Sequence, residues 1–572
     1  MDLKRTLNLM RDNVLLRFVL TVLVNLFILI LYDLLTYKYL WQYNHPPLAS
    51  FFSKYQSGEI HFLNLSHLAE VLIVVSLLIL LTVPTTSSSP SAYIKSLFPS
   101  IFLILVFIAY DIEINTHLRI PTVRTLKILL TFKDFLGIKA IAGGLLIIGI
   151  IAIAIYFVLA SFYKAIKGFF FSHDSLTKRE FFTILALKVL AIAGIVYFPS
   201  LLKEHYQNIW WYEKEEVWTN GRLIASYTNS LREIKATQDL EKFEYTLSEP
   251  PHRVLFPDTL QHRPNIYFIL LESFLDLSRM KDVTTSPYPI HPRLLKFLPD
   301  STFSLTKSPV IGGFTSQATF EMITGTPGLR EFAPVEFLVF GNHPTYSLLR
   351  RFKEQGYSTW AFTATSKIYY NTPTAYKNLG FDSAIFLGAL TTFQEKYENS
   401  YIPDEAVYSY FIKNFDIIPK PHFVYIVTMY GHWPWYMPTD SDTISVSPRK
   451  DPLPALANVM FRKQKLLSWL IDTILKMDSN ALIVAFSDHN PPFIFTHEPK
   501  WKYDAPSTYH VPILVIYKGK SISLPVVDMH RVPELIYHLI ANDTLPDTSN
   551  LVPIDTKKYL YKQIIKQSRQ DV

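Results

Sequence analysis

One short stretch combines two glycines with a run of hydroxyl side chains. The sequence PVIGGFTSQATF, from Pro309 to Phe320, places them directly before an apolar segment. Glycines permit a tight turn, and Thr or Ser before a helix is the usual N-cap. The hydroxyl of Thr315 or Ser316 is therefore either a helix cap or an attacking nucleophile. The stretch by itself leaves both interpretations open.

Four side chains that can bind a metal stand at the ends of apolar runs. Glu272 lies near the end of NIYFILLESF, His432 ends PHFVYIVTMYGH, and Asp488 and His489 follow the apolar part of NALIVAFSDHN. In open α/β sheets, sites form beyond the carboxyl ends of strands, so we expect these side chains to converge. Carboxylates with imidazole suit Mn²⁺ or Zn²⁺. Taken singly, the Asp-His pair is also typical of a turn, and Glu272 of a cap.

The hydroxyls and the metal-binding side chains suit one reaction when they are combined. A hydroxyl at an anion-binding helix start, beside a divalent ion, is what phosphoryl transfer through a covalent intermediate needs. The ion lowers the pKa of the hydroxyl and offsets the charge that develops on the phosphate. The combination therefore favours a nucleophile over a cap.

The elements that must position these residues follow an α/β pattern. GYSTWAFTA and HVPILVIY add two more strand-length runs without polar alternation, as expected for strands buried on both faces of a parallel sheet. The clearest helix is predicted from Pro454 to Met477, because apolar residues recur there at helical spacing. Strands that alternate with helices indicate an α/β sandwich.

The first 201 residues have a different character, because long apolar runs dominate them. Crossing the hydrocarbon core takes roughly 20 apolar residues. This predicts a bundle of about five transmembrane helices: Val19 to Tyr37, Leu68 to Val83, Leu97 to Tyr110, Ile141 to Phe162 and Phe181 to Leu201. No small-residue cleavage site follows the first run, so we interpret it as an anchor rather than a signal peptide.

Basic residues predict the orientation of this bundle. They cluster before the first span and between the fourth and fifth: Lys4, Arg5, Arg11, Arg17, Lys164, Lys167, Lys178 and Arg179. Both clusters belong in the cytoplasm, so five crossings place everything after Leu201 outside. The connector from Arg119 to Lys139 is also basic but falls on the outer side. Its mixture of bases with Leu, Ile and Phe predicts a segment on the bilayer surface, either a plain loop or an attractor of anionic headgroups.

Composition sets further limits. The chain of 572 residues has no cysteine, so it can hold neither a disulfide nor a thiolate-metal site. Its net charge of +7 is scattered and no nucleic-acid motif is present, which argues against a nucleic-acid partner. The predicted domains are a transmembrane domain at 1–201, a juxtamembrane connector at 202–263 and an extracytoplasmic catalytic α/β domain at 264–572.

The ordered motifs ILLESF, GGFTSQATF, TMYGHWPW and FSDHNPP, behind the apolar runs, resemble a known family. It is the lipoteichoic acid synthase and phosphoglycerol transferase family of the alkaline phosphatase/sulfatase superfamily. The segment TNG, from Thr219 to Gly221, resembles the part of that family just after its last span. The resemblance covers most of the chain and implies an outer domain of alkaline phosphatase/sulfatase type.

The resemblance implies roles for individual residues. Glu272, Thr315, Asp488 and His489 would bind one divalent metal ion, with Mn²⁺ favoured and Zn²⁺ as the alternative, and Thr315 would also be the nucleophile. The remaining catalytic and substrate-binding residues that it implies are His432, Ser316, Lys367, Tyr370, Asn371 and His510. The segment TATSKIYYNTPTAYKNLGFD departs from the family pattern. Tyr370 stands where a Trp is expected and Thr372 where an Arg is expected.

The departure at Thr372 bears on the substrate. Without the Arg, a bidentate phosphate contact is lost, and Thr cannot replace it. The transferred group is therefore either phosphoglycerol, from phosphatidylglycerol, or phosphoethanolamine. The acceptor is expected to be an envelope glycan, polymer or lipid at the outer face of a bacterial inner membrane. A formylglycine sulfatase is disfavoured because its C/S-x-P-x-R pattern is missing. The last alternative is a non-catalytic membrane protein of this fold that binds lipid or a partner.

Overall fold

The computed structural model describes most of the chain in two compact units, Met1–Ile234 and Lys235–Val572. The described residues are 13–36, 65–84, 95–117, 120–122, 138–173, 175–201, 216–217, 220–244, 250–298, 301–329, 331–332, 337, 344–365, 367, 371–390, 392, 402–433, 435, 443–491, 500 and 509–569. The boundary between the units falls inside the segment that was predicted as a connector, 202–263. Most of the basic segment predicted to lie on the bilayer surface, 119–139, is outside the described residues.

The N-terminal unit has a helix at each of the five apolar runs. These helices are α1 (Val14–Thr36), α2 (Leu65–Leu81), α3 (Phe98–His117), α4 (Ile138–Phe171) and α5 (Ser175–Leu201). Of the helical stretches in the described residues, three are long and apolar enough to cross a membrane: Val14–Thr36, Ala152–Phe171 and Thr177–Phe198. The apolar parts of α2 and α3, Leu68–Leu81 and Phe98–Asp111, are shorter. Three spans are thus supported, and the count of five stays a prediction.

A sixth helix, α6 (Arg222–Glu241), begins with a buried ion-pair network in the N-terminal unit. The Arg222 guanidinium donates to both carboxylate oxygens of Asp111, at 2.7 and 2.8 Å. Its third nitrogen lies 3.0 Å from Asp33, and all three side chains are at most 1% exposed. Charges buried in this way must be paired, because leaving one of them alone costs several kcal/mol, about 3–5. The network therefore links the start of α6 to the ends of α1 and α3.

The glycine of the TNG segment has a structural reason. Gly221 has φ +96°, and a Cβ there would lie 2.6 Å from the Glu70 side chain. The Glu70 carboxylate accepts hydrogen bonds from the backbone N–H groups of Leu223, at 3.0 Å, and Ile224, at 3.1 Å. A carboxylate at this position compensates the free N–H groups and the dipole of the first helical turn. A larger residue at 221 would displace this carboxylate.

The C-terminal unit is an α/β domain. Its strands are β1 (Ile266–Leu271), β2 (Thr284–Ser286), β3 (Ser304–Lys307), β4 (Ser358–Thr363), β5 (Ser383–Phe386), β6 (His422–Val427), β7 (Ser445–Ser447), β8 (Leu482–Ser487), β9 (His510–Tyr517), β10 (Lys520–Ile522) and β11 (Val527–Asp528). Its helices are α7 (Pro251–Leu255), α8 (Pro292–Leu295), α9 (Thr315–Thr324), α10 (Leu348–Glu354), α11 (Thr372–Leu379), α12 (Asp404–Lys413), α13 (Leu453–Met477), α14 (Val532–Asn542) and α15 (Ile554–Arg569). All five predicted strands and the long predicted helix, α13, are confirmed.

The main sheet is mixed rather than parallel throughout. Its order is β11-β3-β9-β8-β1-β6-β4-β5, with β10 paired to β9 and β2 paired to β7 in a separate sheet. The strands β8, β1, β6, β4 and β5 run parallel, whereas β9 is antiparallel to β8 and β3. The expectation of a parallel sheet was thus wrong at β9. Its side chains are as buried as those of the parallel strands, so hydrophobicity carried no sign of its direction.

Burial explains why β1, β6 and β8 lack polar alternation. Every side chain of these three central strands is buried. The helix α13 covers one face with side chains such as Leu456, Met460, Leu467 and Leu470, which are fully buried. A strand with both faces covered needs apolar residues at successive positions. The central strands therefore hold their carboxyl ends at fixed positions along one edge of the sheet.

Candidate metal centre and active site

Three of the predicted metal-binding side chains meet at this edge. Glu272 directly follows β1, and Asp488 and His489 directly follow β8. The two strands are parallel neighbours with Leu271 opposite Ser487, so their carboxyl ends coincide. One potential ligand atom from each of Glu272, Asp488 and His489 lies within 4.8 Å of the other two. The group is buried, with exposed fractions of 2% or less.

The hydroxyl of Thr315 points into the same group. Its oxygen lies 2.7 Å from Asp488 Oδ2 and 3.3 Å from Glu272 Oε2. Thr315 is the first residue of α9; the N-cap position is held by Phe314, in the left-handed region with φ +64°, and no side chain caps this helix. The capping interpretation is therefore wrong for Thr315. The Ser316 side chain is buried beside it, and its hydroxyl has no hydrogen-bond partner among the described residues.

The protonation of His489 is set by its neighbour. Its Nδ1 lies 3.1 Å from the carbonyl oxygen of Asn490, which can only accept, so the hydrogen is on Nδ1. Nε2 faces Asp488 Oδ2 at 3.2 Å and Glu272 Oε1 at 3.7 Å, and in a neutral ring it carries the lone pair. A lone pair directed at carboxylate oxygens is repelled unless a cation lies between them. The arrangement fits a metal ion bound by Nε2.

The buried carboxylates of Glu272 and Asp488 also favour a bound cation. Burial raises the pKa of the Glu272 carboxyl, and the neighbouring Asp488 carboxylate raises it further. Backbone N–H groups of Ser273 and His489 both donate to Asp488 Oδ1, at 2.9 Å, and the Ser273 hydroxyl donates to Glu272 Oε1 at 2.8 Å. These bonds orient the carboxylates and leave their second oxygens, Oδ2 and Oε2, towards Thr315. Three oxygens and one imidazole nitrogen suit Mn²⁺ or Zn²⁺.

His432 lies beyond the end of β6, the other parallel neighbour of β1. It is close enough that a protonated His432 lowers the pKa of Glu272, but it is not one of the three residues of the buried metal-competent group. Its Nδ1 lies 2.7 Å from the Trp433 carbonyl oxygen and must donate to it. Trp433, beside it, is 57% exposed.

The other predicted substrate residues lie in segments that reach the same edge. Lys367 and Asn371 follow β4, which runs parallel to β6; Lys367 is exposed, and the Asn371 amide donates to the Phe337 carbonyl at 3.0 Å. His510 begins β9 and, because β9 is antiparallel to β8, its start adjoins the end of β8. Its carbonyl accepts a hydrogen bond from Asn490 at 2.9 Å. Tyr370 lies outside the described residues.

The residue at the family Arg position, Thr372, is buried at the start of α11. Its side chain is 5% exposed, so it presents little surface to a substrate. A guanidinium at this position would need a counter-charge or a route to the surface. The loss of a phosphate contact at 372 stays a prediction.

Two residues that sequence reasoning missed shape the site. Gly431 has φ +135°, and a Cβ there would lie 2.5 Å from the backbone oxygen of Glu272. Lys463 is a fully buried cation on α13. A signal for Lys463 was present, because it falls on the apolar stripe of α13 between Met460 and Leu467. Gly431 lies in the motif TMYGHWPW, but the motif does not indicate this contact, since it joins two distant segments.

The C-terminal unit is thus an α/β domain with a buried metal-competent group at the carboxyl ends of its central strands. Residues 264–538 match the family model described as Sulfatase, so this part of the chain is a sulfatase-family domain. The expected superfamily is thereby confirmed for the C-terminal unit.

A curated relative and solved structures are similar to the chain. The putative cyclic beta-1,2-glucan modification protein of Rhizobium meliloti (strain 1021) is 26% identical over 281 residues, which are 46% of this chain and 43% of that protein. The match therefore spans less than half of the relative's length. Lipoteichoic acid synthase LtaP from Listeria monocytogenes is 16% identical, with TM-score 0.41, over 56% of this chain and 81% of that chain. Streptococcus pyogenes phosphoglycerol transferase GacH, in complex with sn-glycerol-1-phosphate, is 17% identical, with TM-score 0.39, over 59% of this chain and 92% of that chain.

Proposed function

We propose that this protein is a metal-dependent transferase that moves a phospho-headgroup from a membrane phospholipid to an envelope acceptor. The transfer runs through a phosphothreonine at Thr315. The observation that carries the proposal is the Thr315 hydroxyl, which lies 2.7 Å from Asp488 Oδ2 inside the buried metal-competent group instead of capping its helix. A hydroxyl held in this way has the surroundings of a nucleophile.

In the first step, Thr315 Oγ1 attacks the phosphorus of the phospholipid. Oγ1 gives up its proton and forms a new bond to phosphorus, the bond from phosphorus to the diacylglycerol oxygen breaks, and the leaving oxygen takes up a proton. Asp488 Oδ2 accepts the hydrogen bond of the hydroxyl and orients it for the attack. In the second step, an acceptor hydroxyl loses its proton and attacks the phosphorus, the bond from phosphorus to Thr315 Oγ1 breaks, and Oγ1 takes up a proton.

His432 has two roles that suit its geometry. With Nδ1 donating to the Trp433 carbonyl, a protonated ring can donate from Nε2 to the leaving diacylglycerol oxygen or to a phosphate oxygen. A neutral ring presents the lone pair of Nε2 and can take the proton of the acceptor hydroxyl. The first step thus needs the protonated ring and the second the neutral ring, so one histidine can serve both.

The metal-binding residues in this proposal are Glu272, Thr315, Asp488 and His489. A bound Mn²⁺ or Zn²⁺ would lower the pKa of the attacking hydroxyl and offset the charge on the phosphate. The chain itself contributes the orientation of the two carboxylates, through Ser273 and the backbone N–H of His489, and the protonation of His489, through Asn490.

We favour phosphoglycerol, from phosphatidylglycerol, as the transferred group. The basic segment from Arg119 to Lys139 supports an anionic donor, because each base near a membrane surface contributes about 1 kcal/mol of attraction to anionic lipid. The buried Thr372 at the family Arg position argues in the other direction, so phosphoethanolamine is the alternative. As acceptor we propose a periplasmic glucan. The name of the Rhizobium meliloti relative, a putative cyclic beta-1,2-glucan modification protein, supports this choice.

The membrane placement belongs to the same proposal. The apolar helices of the N-terminal unit indicate a membrane protein. Five crossings, with the basic clusters in the cytoplasm, would place the catalytic domain at the outer face of a bacterial inner membrane, where the phospholipid donor and the glucan are both accessible.

The headgroup on Thr315 is the decisive measurement. The full-length protein, with Mn²⁺ and vesicles of phosphatidylglycerol and phosphatidylethanolamine, is quenched without acceptor and digested for mass spectrometry. We expect diacylglycerol and a phosphoglycerol adduct at Thr315. A phosphoethanolamine adduct would show that phosphatidylethanolamine is the donor, and the proposed mechanism would stand. Failure to cleave either lipid would contradict the transferase proposal and favour a non-catalytic role.

A further inference from the structure

Behind the metal-competent group lies a buried cation that the proposed chemistry does not use. Lys463 on α13 is fully buried, and its Nζ lies 3.0 Å from Asp404 Oδ2 and 3.1 Å from Thr428 Oγ1. It also donates to the backbone carbonyl of Tyr430. Asp404, the first residue of α12, is as buried as Lys463. The ammonium thus has three hydrogen-bond acceptors, as a buried –NH₃⁺ requires.

Two of these acceptors belong to the loop that carries His432, residues 428–432. Thr428 follows β6, and its hydroxyl donates to the Leu270 carbonyl at 3.0 Å while accepting from the N–H of Glu272 at 3.1 Å. The hydroxyl therefore uses its one hydrogen and both lone pairs. Lys463 and the backbone of Glu272 thereby meet at a single oxygen atom.

The same lysine supports the other end of the loop. Tyr430, whose carbonyl it binds, is two residues before His432. Gly431 lies between Tyr430 and His432. A Cβ added to Gly431 would lie 3.3 Å from the Lys463 side chain and 2.5 Å from the Glu272 backbone oxygen. Gly431 is thus enclosed between Lys463 and Glu272. The loop can reach its position only with a glycine there, and the lysine packs against that glycine.

We propose that Lys463, held in place by Asp404, is a positioning residue that fixes the 428–432 loop and thereby sets His432 against the metal-competent group. It touches neither the metal ligands' side chains nor a substrate, and it acts through the Tyr430 carbonyl and the Thr428 hydroxyl. The activity part of this inference rests on the proposed transferase function, whereas the structural part does not.

The test starts with a measurement that needs no activity. Full-length wild type and Lys463→Met are compared by hydrogen-exchange mass spectrometry, where the Thr428 and His432 amides report on the loop because both are hydrogen-bonded, to Leu270 and Met429. We expect exchange of the 428–432 loop to rise by about tenfold or more, with the rest of the domain unchanged. The Kd for Mn²⁺ should change by less than about threefold, because the ligand side chains keep their own bonds. Lys476→Met, on the exposed face of α13, is the control and should change neither.

Unchanged exchange in the loop, or a rise spread over the whole domain, would overturn the positioning role. If Lys463→Met does not fold, the double variant Asp404→Asn/Lys463→Met provides the same test, because it leaves no unpaired buried charge. The same two outcomes decide the result for the double variant.

The activity arm separates positioning from general damage. Lys463→Met should lower kcat by about tenfold or more with KM for the lipid within about threefold, since a misplaced catalytic group costs rate rather than binding. In a His432→Ala background, the same change should cost less than about twofold, because the group it positions is already absent. A full additional loss in that background would overturn the inference. If wild type cleaves neither lipid, the proposed function fails, and the exchange result still decides the positioning role.

Discussion

Thr315 and Asp488 are 173 positions apart in the chain, yet the hydroxyl of one lies 2.7 Å from the carboxylate of the other. The contact joins the start of α9 to the end of β8. It also removes the hydroxyl from the cap of its own helix, where Phe314 takes the N-cap position in a left-handed conformation. A non-glycine residue in that region costs roughly 1 kcal/mol or more, which indicates that the turn is held in place by its surroundings.

Thr315→Ala should reduce transfer by about a thousandfold or more, because it removes the attacking oxygen. Thr315→Ser keeps a hydroxyl and should still form the covalent adduct. Ser316→Ala removes the rival hydroxyl, which has no hydrogen-bond partner among the described residues, and should still form the adduct at Thr315. Release of diacylglycerol and intact-protein mass are the measurements. An adduct located on Ser316 would contradict the assignment of the nucleophile.

Removing the metal should abolish turnover, and adding Mn²⁺ or Zn²⁺ back should restore it. Asp488→Asn should weaken binding of the ion by at least about 10- to 100-fold, because it removes one of the negative charges that attract the cation. Calorimetric titration with each ion, without substrate, gives the affinity directly. Asp472→Asn serves as the control, because Asp472 forms only a surface ion pair with Lys296 at 2.6 Å. Full activity after chelation would refute the metal site.

Gly431→Ala should lower stability and activity together. The new methyl group would lie 2.5 Å from the backbone oxygen of Glu272, which cannot move without moving β1, and φ is +135°. We expect a loss of more than about 1 kcal/mol in the free energy of unfolding, measured as a lower Tm in detergent. Gly313→Ala, where the methyl meets nothing within 4 Å, should leave the Tm nearly unchanged. Equal Tm values for both variants would contradict the predicted steric conflict.

Glu354 should make a pH-dependent contribution to stability. Partial burial opposes the shift, but hydrogen bonds from His252, Arg253 and Arg351 lower the pKa of its carboxyl to about 2. A lowered pKa stabilises the folded state above the unfolded pKa of about 4.3, and the effect is lost as the pH falls towards 2. Glu354→Gln should therefore lower the Tm at pH 7, and by roughly half as much at pH 3, which lies within the window between the two pKa values. A Tm difference that does not shrink on acidification would contradict this linkage.

The sequence alone determined which segments are strands and which metal-binding side chains follow them. Runs such as 266–271 and 482–487 lack polar alternation because both of their faces are covered, and that pattern is visible without coordinates. It placed Glu272, Asp488 and His489 at strand ends. Since parallel neighbours end at the same edge, their convergence could be predicted. The long helix α13 was predictable for the same reason, because its apolar stripe has helical spacing.

Other features were decided only by the tertiary structure. The direction of β9 is one of them, because a buried strand has the same hydrophobicity whether it runs parallel or antiparallel. The exclusion of a helix cap at Thr315 is another, because the hydroxyl contacts a carboxylate that follows a distant strand. The contacts of Gly431 and Lys463 are two more, although the place of Lys463 on the apolar stripe of α13 already indicated its burial. Each of these features depends on a close contact between segments that are far apart in the chain. Such contacts form only when the sheet brings those segments together.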